Sequence, residues 1–558
     1  MANKNSSSQS SGGKVGATPL THSASSNEVA LAASKNRDDN FITFCEDIVK
    51  PMQGPFVKLK LIQKMRGKAL EKYLKELTDE LLVKLKDWLA PYDGVALGLQ
   101  WKDFYKKVEE FINLFDDLDS EDEKLFSKAF VSDFFVRPES LCKSLLRIKE
   151  LYGSATAERM FSLATLFSDT EINTVWELYG YCLSRRLHFA SMLYLIPMYA
   201  KGNKQIDDDE LYKELAWCID FVAVPVTTAF NTMLQCRCLP DFEATVHLDG
   251  SLEFSDAYTQ LEAGYLEPAR MTECDLLEFD KDIKKELLRR PSIHKLFSRE
   301  EFEVNLYNMS VYYADYGIEE NPLYQQIKKL SDDVLHYLND DFEIVIPERD
   351  FTKIRRKYQS LELYKDMSGY FEVSASRYPF YRIGETYYST ILFFQRYIVN
   401  AINKSLERKK KFQIDSGFVF EKRVIDIVTD YGFVYHKTCK RIEHKEFDVV
   451  CVKDGCIYNF QCKNNYINVQ NFNTNWIKKV ARKHRSLARA YDKALDKEYN
   501  REDMLKQELD IDRIESYVIT RFPVITPNPR VISFNVLPVY LEDGLFESNM
   551  KRNHPQAR

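Results

Sequence analysis

The stretch Glu446–Asn464, EFDVVCVKDGCIYNFQCKN, decides how the C-terminal part of this chain is read. Asp454-Gly455 at its centre signals a two-residue hairpin loop, because a type I′ turn needs positive φ at both central positions. With those residues as the loop, Lys453 faces Cys456, Asp448 faces Gln461 and Glu446 faces Lys463. Side chains alternate between the two faces of a strand. Glu446, Asp448, Gln461 and Lys463 then share one face. Phe447, Val449, Cys451, Tyr458, Phe460 and Cys462 share the other, a core face. Four polar or charged groups at one end of an apolar hairpin need a reason, since buried charge is costly unless it is paired or bound to metal. One reason is an edge hairpin closed by a Glu446–Lys463 ion pair. The other is a functional site.

The flanking sequence favours the second. A helix is predicted from Asp415 to about Asp430, with Gly432 as its stop signal. Glu421 sits in line with Val424, Ile425 and Val428, at i+3, i+4 and i+7, so a carboxylate stands in the stripe that should face the sheet. Such local departures from pattern concentrate at functional sites. Strands are expected at Phe433–Thr438, Phe447–Val452 and Ile457–Lys463. A long basic helix follows at Thr474–Lys497, then strands at Tyr517–Thr520 and Val531–Val536. The core order is α-β-β-β-α-β, with the last strand as an addition.

Working outward, 558 residues are too many for one core. Residues 1–38, rich in Ser, Gly, Asn and Ala, read as a disordered tail. Residues 39–345 carry helical spacing at Lys58–Leu89, Phe104–Phe115, Met160–Tyr199, Asp208–Leu234 and Phe302–Leu338. A hairpin interrupts them at Val246–Phe254, turning at Asp249-Gly250. Residues 346–411 form a small aromatic-rich α+β connector, with a strand pair in 369–390, a helix to Leu406 and the charge run Glu407–Lys411. Residues 412–540 are the α/β domain, and 541–558 a tail. The fold class is therefore multidomain: a mainly α-helical N-terminal region plus a C-terminal α/β domain.

The net charge of −6 is unevenly spread. Residues 412–558 hold 24 Lys and Arg against 20 Asp and Glu, and the remainder holds 54 against 64. A mildly basic C-terminal domain on an acidic body is compatible with a nucleic-acid partner. No apolar run reaches the roughly 18–20 residues of a membrane span, since Gln395 and Arg396 break Thr390–Val399. No secretory signal is recognisable at the N-terminus. Eleven scattered cysteines read as reduced thiols, so a cytoplasmic protein is expected. Cys236-Arg237-Cys238 lacks a second ligand pair for zinc. Cys439 and His444 form no triad, and there is no GxxxxGK[ST] phosphate loop for an ATPase.

The domain resembles the PD-(D/E)XK nuclease superfamily, the restriction-endonuclease-like fold. The likeness rests on Glu421 in the first helix, Asp448 in one strand and Gln461-Cys462-Lys463 in the next, within an αβββαβ core. The Gln form of the tripeptide, in NFQCKN, is similar to Mrr-like type IV restriction endonucleases. Glu446, two residues before the Asp, also recurs in the superfamily. About 125 residues of the chain carry the resemblance. It implies that Asp448, the Gln461 side-chain oxygen and the Cys462 carbonyl bind a divalent ion, with Glu421 binding directly or through water. Oxygen ligands favour Mg²⁺ or Mn²⁺. Lys463 is implied to orient or deprotonate the attacking water. Gln in place of Glu removes one negative charge, so weaker metal binding is expected and an inactive relative stays open.

The helix Thr474–Lys497 carries Lys478, Lys479, Arg482, Lys483, Arg485 and Arg489, a density suited to phosphate contacts or to a solvated face. Trp476 and Tyr491 are expected on its apolar side. Asn464, Asn465, Asn468, Gln470 and Asn471 either touch nucleic acid or fill a loop. The implied function is a metal-dependent endonuclease acting on nucleic acid, foremost DNA, with restriction or phage defence as its setting by analogy. The helical N-terminal region would supply substrate or protein-partner recognition. A homodimer would supply the two sites that cutting a duplex requires. The alternatives are a non-catalytic nucleic-acid-binding module and a helical scaffold.

Overall fold

The computed structural model describes residues 63–116, 175–206, 218–239, 241–246, 252–254, 287–289, 298–339, 342–374, 376, 378–406, 408–465 and 474–542. The tail expected at 1–38, most of the tail from 541, and the helical stretches at 160–174 and 208–217 lie outside them.

Helical spacing in the N-terminal region gives Gly67–Leu89 (α1), Gly94–Asp116 (α2), Val175–Tyr199 (α3) and Val224–Cys238 (α4). Helix α1 buries Leu70, Leu74, Leu77, Leu81, Leu85 and Leu89, a stripe at three- and four-residue spacing. Ahead of it, Gln63–Arg66 is a strand (β1) rather than the start of the helix expected from Lys58. Gly67, at φ 56°, makes the change of direction. Strand β1 pairs with Glu243–Val246 (β2), which pairs with Leu252–Phe254 (β3) in the hairpin expected there. Glu109 of α2 is fully buried and is bound by Arg186 of α3 at 2.7 and 2.9 Å, by Arg396 at 3.2 and 3.3 Å, and by the Tyr105 hydroxyl.

Arg299–Tyr312 (α5), Pro322–Leu335 (α6), Glu348–Lys357 (α7), Tyr370–Ser374 (α8) and Ile391–Leu406 (α9) accompany an antiparallel sheet. Its strands are Leu338–Asn339 (β4), Glu343–Pro347 (β5), Tyr381–Ile383 (β6) and Thr386–Thr390 (β7), in the order β4-β5-β7-β6. The strand pair read from 369–390 is β6–β7, with Gly384 at φ 60° in its turn. Its expected first part, Tyr370–Ser374, is helical instead. The Tyr370 hydroxyl donates to Ala223 O at 3.1 Å and meets His188 Nδ1 at 3.0 Å, which holds this segment on the N-terminal helices. The sheet begins at Leu338, ahead of the boundary expected at 346.

The C-terminal region is α/β. Its elements are Lys410–Asp430 (α10), Val434–Tyr435 (β8), Arg441–Ile442 (β9), Lys445–Glu446 (β10), Val449–Lys453 (β11), Cys456–Lys463 (β12), Thr474–Tyr499 (α11), Glu502–Leu509 (α12), Ile514–Thr520 (β13), Val531–Ser533 (β14) and Leu537–Glu542 (α13). A five-stranded sheet runs β14-β13-β12-β11-β8. Strands β8, β11 and β12 are antiparallel neighbours, whereas β12–β13 and β13–β14 are parallel. Parallel strands need a crossover, and α11 with α12 makes the one between β12 and β13. Helix α12 was not expected from sequence. Helix α10 covers one face, with Phe420, Val424 and Val428 against Val449, Tyr458 and Phe460. Helix α11 covers the other through Val480, Ala481 and Tyr491, beside Val518. The same side of α11 meets Leu70 and Leu74 of α1 and Phe230 and Met233 of α4, so the N-terminal helices and the C-terminal sheet share a core.

Candidate functional site

The β11–β12 hairpin has the register set by its turn. Lys453 pairs with Cys456 and Val449 with Phe460, and Asp454 and Gly455 have φ of 49° and 67°. The ladder then stops, and Asp448 lies at a bend outside the strand. Upstream of it the chain enters a separate hairpin, where Lys445 pairs with Ile442 and Glu446 with Arg441. Glu443 and His444 at its tip have φ of 45° and 65°, unusual for residues other than glycine.

This bend corrects two expectations. Glu446 is not opposite Lys463: it is exposed, and its backbone oxygen accepts from Arg501 Nη1 at 3.1 Å. Phe447 does not share a core with Val449 and Cys451. It packs with Val450, Ile457 and Leu505, with the Arg501 guanidinium 4.6 Å from its ring. The physical reason is that residues 446 and 447 take other partners: Glu446 pairs with Arg441 and its oxygen accepts from Arg501, and Phe447 N donates to Lys440 O at 3.1 Å.

Where the ladder ends, the Asp448 carboxylate does the work of the missing strand. Its Oδ2 accepts the Cys462 N–H at 2.8 Å and also the Gln461 side-chain amide. A backbone donor that would have lost its partner is thereby satisfied. Asp448 and Gln461 thus meet as the register implies. Burial raises the Asp448 pKa above the ordinary carboxylate value; Lys463 and the Cys462 N–H oppose this, and the charge of Glu498 adds to it. Burial lowers the Lys463 pKa, against the pull of Asp448. Burial and the Asp448 and Glu421 charges drive the Cys462 thiol pKa well up.

Glu421 projects from α10, one turn ahead of the buried Val424. Burial is the main cause of its raised pKa, and the charges of Asp448 and Glu446 contribute. It therefore lies in the same electrostatic neighbourhood as Asp448. Its direct partner is Lys440 Nζ, at 3.0 Å, a residue sequence reasoning passed over. Also missed were Glu498 and Arg501 at the α11–α12 junction, and Asn459 of β12. Glu498 is buried, accepts Asn459 Nδ2 at 3.0 Å and pairs with Arg501. Two signals existed: Asn459 shares strand parity with Gln461 and Lys463, and Glu498 and Arg501 are three residues apart.

The oxygens near the bend suit a hard cation: two desolvated carboxylates that repel one another, the Gln461 amide and the Cys462 carbonyl. Among the described residues, no three His, Cys, Asp or Glu side chains are grouped to hold a metal. This donor set has only two such side chains, its other oxygens being amide ones. Gln461 presents its amide N–H to Asp448, so holding a cation requires the amide to turn over.

Lys478, Lys479, Arg482, Lys483, Arg485 and Arg489 are all exposed on α11. Arg485 Nη1 donates to Arg237 O at 3.2 Å and Arg489 Nε to Arg485 O at 3.2 Å. Along the helix axis, Arg489 stands roughly 13 Å from Glu498. Tyr491 is buried as expected, and the side chain of Trp476 lies outside the described residues. Asn464 bridges Ser416 and Arg521 at 3.1 and 3.2 Å, and Asn465 meets the Tyr491 hydroxyl at 3.3 Å, so both tie elements together. Asn468, Gln470 and Asn471 lie outside the described residues. Among the described residues, no helix is long and apolar enough to cross a membrane. The chain matches no protein-family model, no curated protein and no solved structure with which it was compared.

Proposed function

We infer that residues 410–542 form a divalent-metal-dependent endonuclease domain of the PD-(D/E)XK type, acting on nucleic acid and foremost on DNA. The observation that carries this is the meeting of Asp448 with Gln461, two residues from Lys463, where the β11–β12 ladder ends. The strand and helix order α10-β8-β11-β12-α11-β13 supports it. Asp448, the Gln461 amide oxygen, the Cys462 carbonyl and Glu421 would hold Mg²⁺ or Mn²⁺. Once bound, the ion would supply Lewis-acid stabilisation of charge on the phosphate.

The chain's own residues would do the rest. Asp448 fixes the Cys462 amide and with it the direction of the neighbouring carbonyl. Lys463, its pKa lowered by burial, can orient a water and accept a proton more readily than an exposed lysine. The basic face of α11 would hold the phosphate backbone. The helical N-terminal region, joined to α11 through a common core, would pass substrate or partner recognition to the domain. Restriction or phage defence in the cytoplasm is the setting we favour, with two copies acting on a duplex; the eight described cysteines are all free thiols.

A second reading has its own support. Gln461 donates to Asp448 and Lys440 occupies Glu421, an arrangement in which a non-catalytic nucleic-acid-binding module holds itself together without metal. Incubation with plasmid and linear DNA, in Mg²⁺, Mn²⁺ or chelator, separates the two. The nuclease reading expects cleavage in a divalent cation and none in chelator. Binding without cutting under any cation favours the module.

A further inference from the structure

Resting on the nuclease reading, we propose that Glu498 and Arg501 are positioning residues, a buried clamp that sets Asp448 against Gln461 and Lys463. The need for a clamp follows from the bend. Past Val449 no strand pairing joins β12 to the backbone of residues 446–448, and the Asp448 carboxylate meets the Cys462 N–H and Gln461 through its own side chain.

The α11–α12 junction holds the backbone that leads into Asp448. Arg501 Nη1 donates to Glu446 O at 3.1 Å, and its guanidinium lies 4.6 Å from the Phe447 ring centre. Both residues directly preceding Asp448 are therefore held from one side chain. Arg501 is in turn held by Glu498, whose other oxygen takes Asn459 Nδ2 at 3.0 Å. Asn459 is two residues before Gln461 on the same strand, with the same parity. A single carboxylate thus links the segment carrying Asp448 to the strand carrying Gln461 and Lys463. Phe447 N, which donates to Lys440 O at 3.1 Å, ties in the lysine that pairs with Glu421.

A plain structural filler would not take this form. Glu498 and Arg501 are both buried charged side chains. Asn459 Oδ1 and Arg501 Nε are buried with no hydrogen-bond partner among the described residues. Apolar residues of similar volume commonly match or exceed a buried ion pair in stability. The observed choice buys geometry: a planar guanidinium delivers one donor to a carbonyl and one to a carboxylate in fixed directions.

Hydrogen exchange of the full-length chain, read by mass spectrometry on peptides covering 446–449, 460–463 and 514–520, tests this without metal or substrate. Glu498→Gln and Arg501→Met should speed exchange in the first two peptides by at least about tenfold, leaving the third unchanged. Arg501→Lys, which keeps a donor for Glu446 O, should recover part of the protection. In the same variants Mn²⁺ binding should weaken about tenfold, and kcat should fall while KM for DNA holds. Unchanged exchange in both variants overturns the proposal. So does equal acceleration in all three peptides, which would mark general loosening. A wild type that cuts nothing would sink the nuclease reading alone, because the exchange result stands without it.

Discussion

Asp448 accepts the backbone N–H of Cys462 at 2.8 Å, so one carboxylate both closes the end of a β ladder and faces the candidate site. The two roles separate by substitution. Asp448→Asn keeps an acceptor for the Cys462 N–H and should hold the wild-type melting temperature. Asp448→Ala leaves that donor unpaired and should cost about 1–3 kcal/mol. Urea unfolding of the pair checks this, and equal stability of the two would contradict the ladder-closing role.

Under the proposed nuclease function, metal binding depends most finely on Gln461. Gln461→Glu places a second carboxylate against Asp448. Without divalent cation the variant should melt below wild type, because like charges at close range destabilise. With Mn²⁺ it should gain more in melting temperature than wild type does, as the ion binds the folded state. A variant that gains nothing from Mn²⁺ would show that Gln461 is not a ligand.

Glu109 carries the corresponding risk in the N-terminal region. It is fully buried and answers two guanidinium groups from different helices. Glu109→Gln removes the charge while keeping the shape and should cost about 3–5 kcal/mol, because it neutralises the buried carboxylate that both guanidinium groups bind. A loss under about 1 kcal/mol in equilibrium unfolding would contradict the network.

Acid should weaken the fold through two histidines. Burial pushes His188 down to about 4 and His484 down to about 3, and His484 Nδ1 must stay unprotonated to accept the Ile525 N–H at 3.0 Å. Unfolded histidine titrates near 6.5. Both contributions are intact above that pH, and they are lost as pH falls from about 6.5 towards 4 for His188 and towards 3 for His484, because the unfolded chain takes up protons first. Each histidine adds up to about 1.4 kcal/mol per pH unit to the slope. Asp448 and Glu421 have raised pKa values and act with the opposite sign. His484→Gln, which keeps an acceptor, should flatten the slope of unfolding free energy between pH 6 and 4.5. An unchanged slope would contradict the assignment.

The hairpin register was legible because Asp454-Gly455 is a local signal that few other structures use. The stripe of α10 was legible for the same kind of reason, a period in the sequence. The bend at Asp448 was not, since the partners of residues 446 and 447 include Arg501, more than fifty residues downstream, and alternation along EFDVV reads as if unbroken. Lys440 on Glu421 was equally hidden: it reaches the site from a short turn with no period of its own. Helix α12 is not legible in the sequence because eight residues give too little periodicity to stand out from a loop. Its start is also where the clamp sits.

If Asp448 and Lys463 serve a phosphodiester-cleaving centre, as proposed, both are needed for cleavage, which parallel assays measure. Wild type, Asp448→Ala and Lys463→Ala would be incubated at matched concentration with plasmid and linear DNA in Mg²⁺ or Mn²⁺. Cleavage by wild type, absent in chelator and reduced at least about 100-fold in both variants, is the predicted result. Equal cleavage by all three proteins would contradict the account.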